Sequence, residues 1–289
     1  MSAGSAVATT RRLPRYALPM RVLLTNDDGI RAPGSSALHD ALVAERALGS
    51  TEFLVVAPLT VQSATSHGIT FHEPLMTKTV RASEGMQGIA VDGRPADCTK
   101  LALTILWPEH FGDGSRPDLV ISGMNMGANA GINVIYSGTV AAAIEAAFLG
   151  VPSIAVSMHL HRGTPDYDMG AAHAARTIAK LIRGGLPDAH ACLNINIPRC
   201  EAEDPSHADP IEPAVCPMNT HGLVDRYERR ESPAGAAYYW PNGDGMEFRG
   251  ADEGTDVERL FERAITVTPL SFNLTDDSAM ENWRARAAD

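Results

Sequence analysis

The sequence predicts an α/β fold, an open and mostly parallel sheet with helices on both faces, and three observations carry that prediction. Short apolar runs without polar alternation recur along the chain, as strands buried on both faces require. Segments with a helical period separate them. Polar, glycine-containing turns follow the runs, and the right-handed crossover rule assembles such an order into a parallel sheet.

The first run, RVLLT from Arg21, stops at Asn26-Asp27-Asp28-Gly29. Residues 37–48 space Leu38, Leu42 and Leu48 among Ala and Glu as a helix does, and FLVVA at 53–57 is a second strand ended by Pro58, which completes a βαβ unit. Residues 97–106 (DCTKLALTIL) read as a helix and LVIS at 119–122 as a strand. After a loop rich in Gly and Asn, residues 139–149 (TVAAAIEAAFL) form a helix stopped by Gly150, and SIAVS from Ser153 forms a strand. A helix over 169–183 and the strand CLNINI at 192–197 finish the series. Beyond Pro198 an acidic, proline-rich stretch intervenes, so a boundary falls near residue 200. Tyr238, Tyr239 and Trp240 and the run AITVTPL at 264–270 read as strands of an appendage that serves self-association. The expected organisation is a leader at 1–20, a catalytic domain at 21–200, a C-terminal β-rich extension for self-association at 201–276 and a tail at 277–289.

A chain of 289 residues with net charge −11 is poorly suited to a nucleic-acid polymer, whose affinity depends on Lys and Arg neutralising phosphates. An anionic ligand must be held by local devices. The four cysteines, Cys98, Cys192, Cys200 and Cys216, lack CxxC spacing and read as reduced structural thiols, which favours the cytoplasm. No apolar run approaches the roughly 18 to 20 residues of a membrane span, so no membrane partner is expected.

In an open parallel sheet, ligands bind outside the carboxyl ends of the strands, where strand order reverses. Three polar loops fall there. Asp27 and Asp28 in a tight turn repel each other, and a hard divalent cation relieves the repulsion; the same tetrapeptide reads equally well as a strand-ending turn. Residues 58–70 (PLTVQSATSHGIT) supply Ser63, Thr65 and Ser66 beside His67, either as ligands or as turn formers. Residues 122–139 (SGMNMGANAGINVIYSGT) add Asn125 and Asn129 and end in Ser137-Gly138-Thr139 at a helix start, which is an anion site or a plain N-cap. Convergence of the three loops predicts a metal site beside a phosphate cradle, and a metal there would lower the pKa of a bound water for attack on phosphorus. His67 is a candidate for protonating the leaving oxygen. His159 and His161 read as solvated loop histidines, and DRYERRE at 225–231 as a charged surface cluster.

In order, VLLTNDDGI, APLTVQSATSHGIT, GRPADCTKLA, SGMN with YSGTVAAAIEA, LNINIP and GTDVERLFERAITVTPL resemble the SurE family of metal-dependent nucleotidases over roughly residues 21 to 275. The resemblance implies a Rossmann-like domain, one divalent metal ion per subunit (Mg2+ or Mn2+), and hydrolysis of nucleoside 5'- and 3'-monophosphates, often with short polyphosphate. A homodimer or homotetramer joined through the C-terminal segment is implied as well. Carried over by position, the metal ligands fall on Asp27, Asp28, Ser63 and Asn125, the first two also catalytic. The phosphate-binding residues fall on Asn129, Ser137, Gly138 and Thr139. Met126 stands where the family commonly has a basic residue and Asn133 where it often has an acidic one. A haloacid-dehalogenase-type phosphatase would need D-x-D after the first strand, and a dinucleotide-binding module G-x-G-x-x-G; neither is present.

Overall fold

The computed structural model describes residues 19–242 and 245–288. Apart from its last two residues, the expected leader lies outside the described residues. Strand β1 (Met20–Thr25) is followed by α1 (Pro33–Ala44), β2 (Thr51–Pro58), β3 (Thr77–Arg81), β4 (Gln87–Val91), α2 (Pro95–Leu101), α3 (Trp107–Phe111), β5 (Leu119–Met126), α4 (Gly138–Phe148), β6 (Ser153–Met158), α5 (Tyr167–Ile182) and β7 (Cys192–Ile197). Then come β8 (Pro213–Val215), β9 (Tyr227–Glu231), β10 (Ala237–Pro241), α6 (Asp256–Phe261), β11 (Ile265–Leu270) and α7 (Met280–Ala288).

Nine strands form one sheet in the order β3-β4-β2-β1-β5-β6-β7-β11-β8, parallel from β4 to β7. Strand order reverses at β1, which pairs with β2 on one side and β5 on the other, so the crevice between β1 and β5 is the switch point. The lack of alternation in RVLLT follows from burial on both faces. Val22 and Leu24 pack into one core with Leu38 and Leu42 of α1 and Ile178 of α5. Leu23 packs into the other with Cys98 of α2, Trp107 of α3 and Ala146 of α4.

Three features differ from the sequence reading. The helix expected at 97–106 begins at Pro95, passes through a π-helical stretch at Ala102–Leu106 and continues in α3. Pro108 falls where the π-helical stretch gives way to α3, so the proline, which has no N–H to donate to the preceding turn, sits at the change of hydrogen-bonding pattern. The antiparallel pair β3–β4 was not expected, since its strands are short and four of the five β3 residues are exposed. AITVTPL does not sit on an appendage: β11 pairs antiparallel with β7 inside the main sheet, with Ile265 and Val267 buried in the core shared by α1 and α5. Tyr238, Tyr239 and Trp240 do lie outside it, in the separate exposed hairpin β9–β10.

Candidate active site

The site grows from the carboxyl end of β1. The Asn26 amide donates to Gly29 O at 2.9 Å and closes the turn that carries Asp27 and Asp28. Both carboxylates are buried, 5% and 8% exposed. Burial pushes the Asp27 carboxyl up to about 6; the Thr139 hydroxyl opposes this and the Asp28 charge adds to it. Burial raises Asp28 too, against a 2.7 Å hydrogen bond from the Met126 N–H. Two carboxylates that are costly to keep charged, side by side, make a donor set that fits a hard divalent cation.

The bond from Met126 fastens Asp28 to the end of β5, beside Asn125. A bulge between Ser122 and Asn125 lets the strand reach this far. Its Gly123 has φ +134 and no room for a side chain, because a Cβ would lie 2.1 Å from Val156 O. The Asn125 amide nitrogen donates to Gly127 O at 2.7 Å, and its Oδ1 accepts no hydrogen bond among the described residues. The second loop is fastened to the Asp27 backbone directly: the Gln62 N–H donates to the Asp27 main-chain O at 2.8 Å, and the exposed Ser63 is the next residue along that loop. Ala64 and Ser66 hold left-handed backbone in this loop, φ 56 and 53, and Ser66 Oγ donates to Ile135 O at 2.7 Å, joining the second loop to the third.

At the start of α4 the residues named for the phosphate cradle also make contacts within the protein. Ser137 is the N-cap, accepting from the Val140 N–H at 3.1 Å. The Thr139 hydroxyl donates to Asp27 Oδ1. Gly138 has ordinary backbone, and what it provides is proximity: a Cβ there would lie 2.9 Å from Asp27 Cβ and 3.0 Å from Asp27 Oδ2. The first turn of α4 thus faces Asp27, and its dipole favours negative charge at that point. Asn129 is tied down, its Nδ2 donating to Ser157 Oγ at 2.8 Å and its N–H to Asn196 Oδ1 at 2.8 Å.

Sequence reasoning left two supporting groups unremarked. Buried Glu145 of α4 accepts from His67 Nε2 at 2.8 Å and Lys100 Nζ at 3.0 Å. Burial works to raise the Glu145 carboxyl, and those two partners outweigh it and hold it below the usual range. Asp97 accepts from the Thr70 N–H at 2.8 Å, the Thr70 hydroxyl at 2.7 Å and the Arg94 N–H at 2.9 Å, anchoring the end of the second loop to α2. Glu145 is hidden in sequence by its position inside a regular helical pattern, and the one trace of Asp97 is its place two residues after Pro95 at a helix start. No group of three or more His, Cys, Asp or Glu among the described residues is arranged to hold a metal ion. A cation at this site would rely on two carboxylates with neutral oxygens, a hard-cation set unlike the His and Cys ligands typical of zinc.

An open, mostly parallel sheet with buried paired carboxylates at its switch point and a helix N-terminus turned toward them defines a Rossmann-like α/β protein whose candidate site lies at the end of β1. The chain belongs to the SurE family, whose model, described as Survival protein SurE, matches residues 22–219. A relative from Rhodopirellula baltica named 5'-nucleotidase SurE is 44% identical over 275 residues, 92% of this chain and 100% of that protein. Another of that name from Syntrophobacter fumaroxidans is 41% identical over 257 residues, 89% of this chain and 95% of that one. The crystal structure of the SurE protein from Aquifex aeolicus is similar at a TM-score of 0.72 and 32% sequence identity, covering 92% of this chain and 99% of that one.

Proposed function

We propose that the protein is a metal-dependent 5'-nucleotidase that hydrolyses nucleoside 5'-monophosphates to nucleoside and phosphate. The observation that carries this reading is the buried Asp27–Asp28 pair at the switch point, with the first turn of α4 facing it. Asp27, Asp28, Ser63 and Asn125 would hold one divalent ion, Mg2+ or Mn2+. When bound, such an ion polarises phosphoryl oxygens and makes water a better nucleophile at neutral pH. The chain's own groups do the rest. The Thr139 hydroxyl orients Asp27, the Met126 N–H orients Asp28, and Gly138 leaves room for Asp27 to lie against α4. Backbone N–H groups of the first turn of α4, with Ser137 and Asn129 nearby, receive the phosphate. His67, steadied by Glu145, is the candidate for returning a proton to the leaving ribose oxygen. We extend the proposal to 3'-monophosphates and short polyphosphate as further substrates. Phosphate release from 5'-AMP, 3'-AMP and tripolyphosphate, with Mg2+, with Mn2+ and with chelator, tests it. Metal-dependent release from 5'-AMP is expected, and release that survives chelation, or none from any nucleotide, would overturn the assignment.

A further inference from the structure

The loop at 127–137, which joins Asn125 to the start of α4, is fixed at its middle by residues from far along the chain. Gly131, at φ +56, rests in a socket so close that a Cβ would lie 2.8 Å from Phe248 Cε1, 3.0 Å from Val257 Cγ2 and 3.2 Å from Asn219 O. Its N–H donates to Asp256 Oδ2 at 2.8 Å. The other oxygen, Oδ1, accepts from the Asn219 N–H at 2.7 Å and the Val257 N–H at 2.8 Å. Asp256 is fully buried and forms no ion pair among the described residues; burial raises its carboxyl above the usual range, and the three backbone donors offset that in part. A buried charge of this kind is costly to keep without donors that match it. Two residues earlier in the loop, Asn129 O accepts from Asn194 Nδ2 at 2.7 Å.

We infer that Asp256 is a positioning residue of the active site: by holding Gly131 it sets the loop whose two ends carry Asn125 and Ser137-Gly138-Thr139 relative to Asp27 and Asp28. The inference rests on the phosphomonoesterase reading above. Asp256 touches none of the reacting groups and acts through the loop alone. Displacement of catalytic groups by about 1 Å can cost on the order of a hundredfold in rate.

Asp256→Asn is nearly isosteric and separates the bonds. Its amide oxygen can keep the Asn219 and Val257 N–H groups while its NH2 meets the Gly131 N–H, donor against donor. Leu260→Ala is the comparison, since Leu260 packs with Ala130 and Val257 and its loss loosens the same region without touching that bond. Three quantities are read on the full chain: kcat and KM for 5'-AMP at saturating Mg2+, hydrogen exchange at the Gly131 amide, and the melting temperature. Asp256→Asn is expected to speed Gly131 exchange and to lower kcat by about ten- to a hundredfold, with a smaller change in KM. Leu260→Ala, at a similar loss of melting temperature, should keep most of its kcat. Should Asp256→Asn not fold, Gly131→Ala displaces the loop from the other side of the contact and carries the same expectation. Faster Gly131 exchange with kcat within about twofold of the parent, or equal kcat losses in the two variants at equal melting temperature, would overturn the inference. A parent protein without nucleotidase activity would sink the functional reading instead, while Gly131 exchange would still report whether Asp256 holds the loop.

Discussion

Asp27 meets three demands at once: it is buried, it lies beside a second carboxylate, and it receives the Thr139 hydroxyl. Asp27→Asn and Asp28→Asn should each leave the fold intact, since either change relieves repulsion, and should reduce phosphate release at saturating metal to below about a tenth, because metal catalysis supplies several kcal/mol. More residual activity than that would count against the ligand assignment. Proton linkage gives a second expectation. A folded-state value of about 6 against an ordinary 3.8 means that Asp27 contributes most stability below about pH 4 and loses it as pH rises through 6. Chelated protein should therefore gain about 1 kcal/mol from this group on going from pH 7 to pH 5, and saturating Mg2+ should diminish or reverse that gain, because the cation competes with the proton. Thermal melts at the two pH values, with and without chelator, measure it; a chelated protein less stable at pH 5 would show that other groups dominate. Asp27 and Asp28 were legible in the sequence because adjacent carboxylates in a strand-ending turn repel each other, and a cation relieves that repulsion. Thr139 was legible as a candidate but its partner Asp27 was not, since the sequence shows a hydroxyl at a helix start and only the fold shows that it donates to a carboxylate.

At the scale of elements, the close approach of α4 to β1 sets what its first turn tolerates. Gly138→Val forces a side chain into the Asp27 carboxylate, and Thr139→Val removes the hydroxyl that orients it. Both should raise the metal concentration needed for half-maximal activity as well as lower kcat/KM, with Gly138→Val the more damaging; for Thr139→Val the loss is about 1 to 3 kcal/mol. Metal titrations of activity decide the matter. An unchanged metal midpoint in both variants would return these residues to phosphate binding alone. Burial on both faces made β1, β2, β5, β6 and β7 legible as apolar runs. Strand β5 outran its LVIS signal to Met126, because the bulge at Gly123 continues pairing through residues that read as loop. Strand β11 was recognised as a strand and assigned to the wrong surface, for an apolar run shows that it will be covered and not by what. Asp256 was hidden for a related reason: a helix-start aspartate is common, and its bond to Gly131 spans 125 positions.

Over the whole molecule, the hairpin β9–β10 stands apart from the sheet with Tyr238, Tyr239 and Trp240 at 41%, 61% and 56% exposure, aromatic side chains on both of its faces that call for a partner. We propose that it joins subunits. Sedimentation should find a dimer or larger species for the intact chain, and replacement of all three aromatics by Ser should shift it toward smaller species with the main fold preserved. A monomer at micromolar concentration would remove the idea. The two ends of the nine-stranded sheet work in the opposite direction, against association. At one end, β3 places Lys78 and Arg81 on an exposed border; at the other, β8 is only three residues long and opens with Pro213, which has no N–H to offer. Charge on one border and brevity with proline on the other deprive an incoming strand of a template. If the hairpin joins subunits as proposed, copies would gather through that arm while the largest sheet resists open-ended stacking into fibrils.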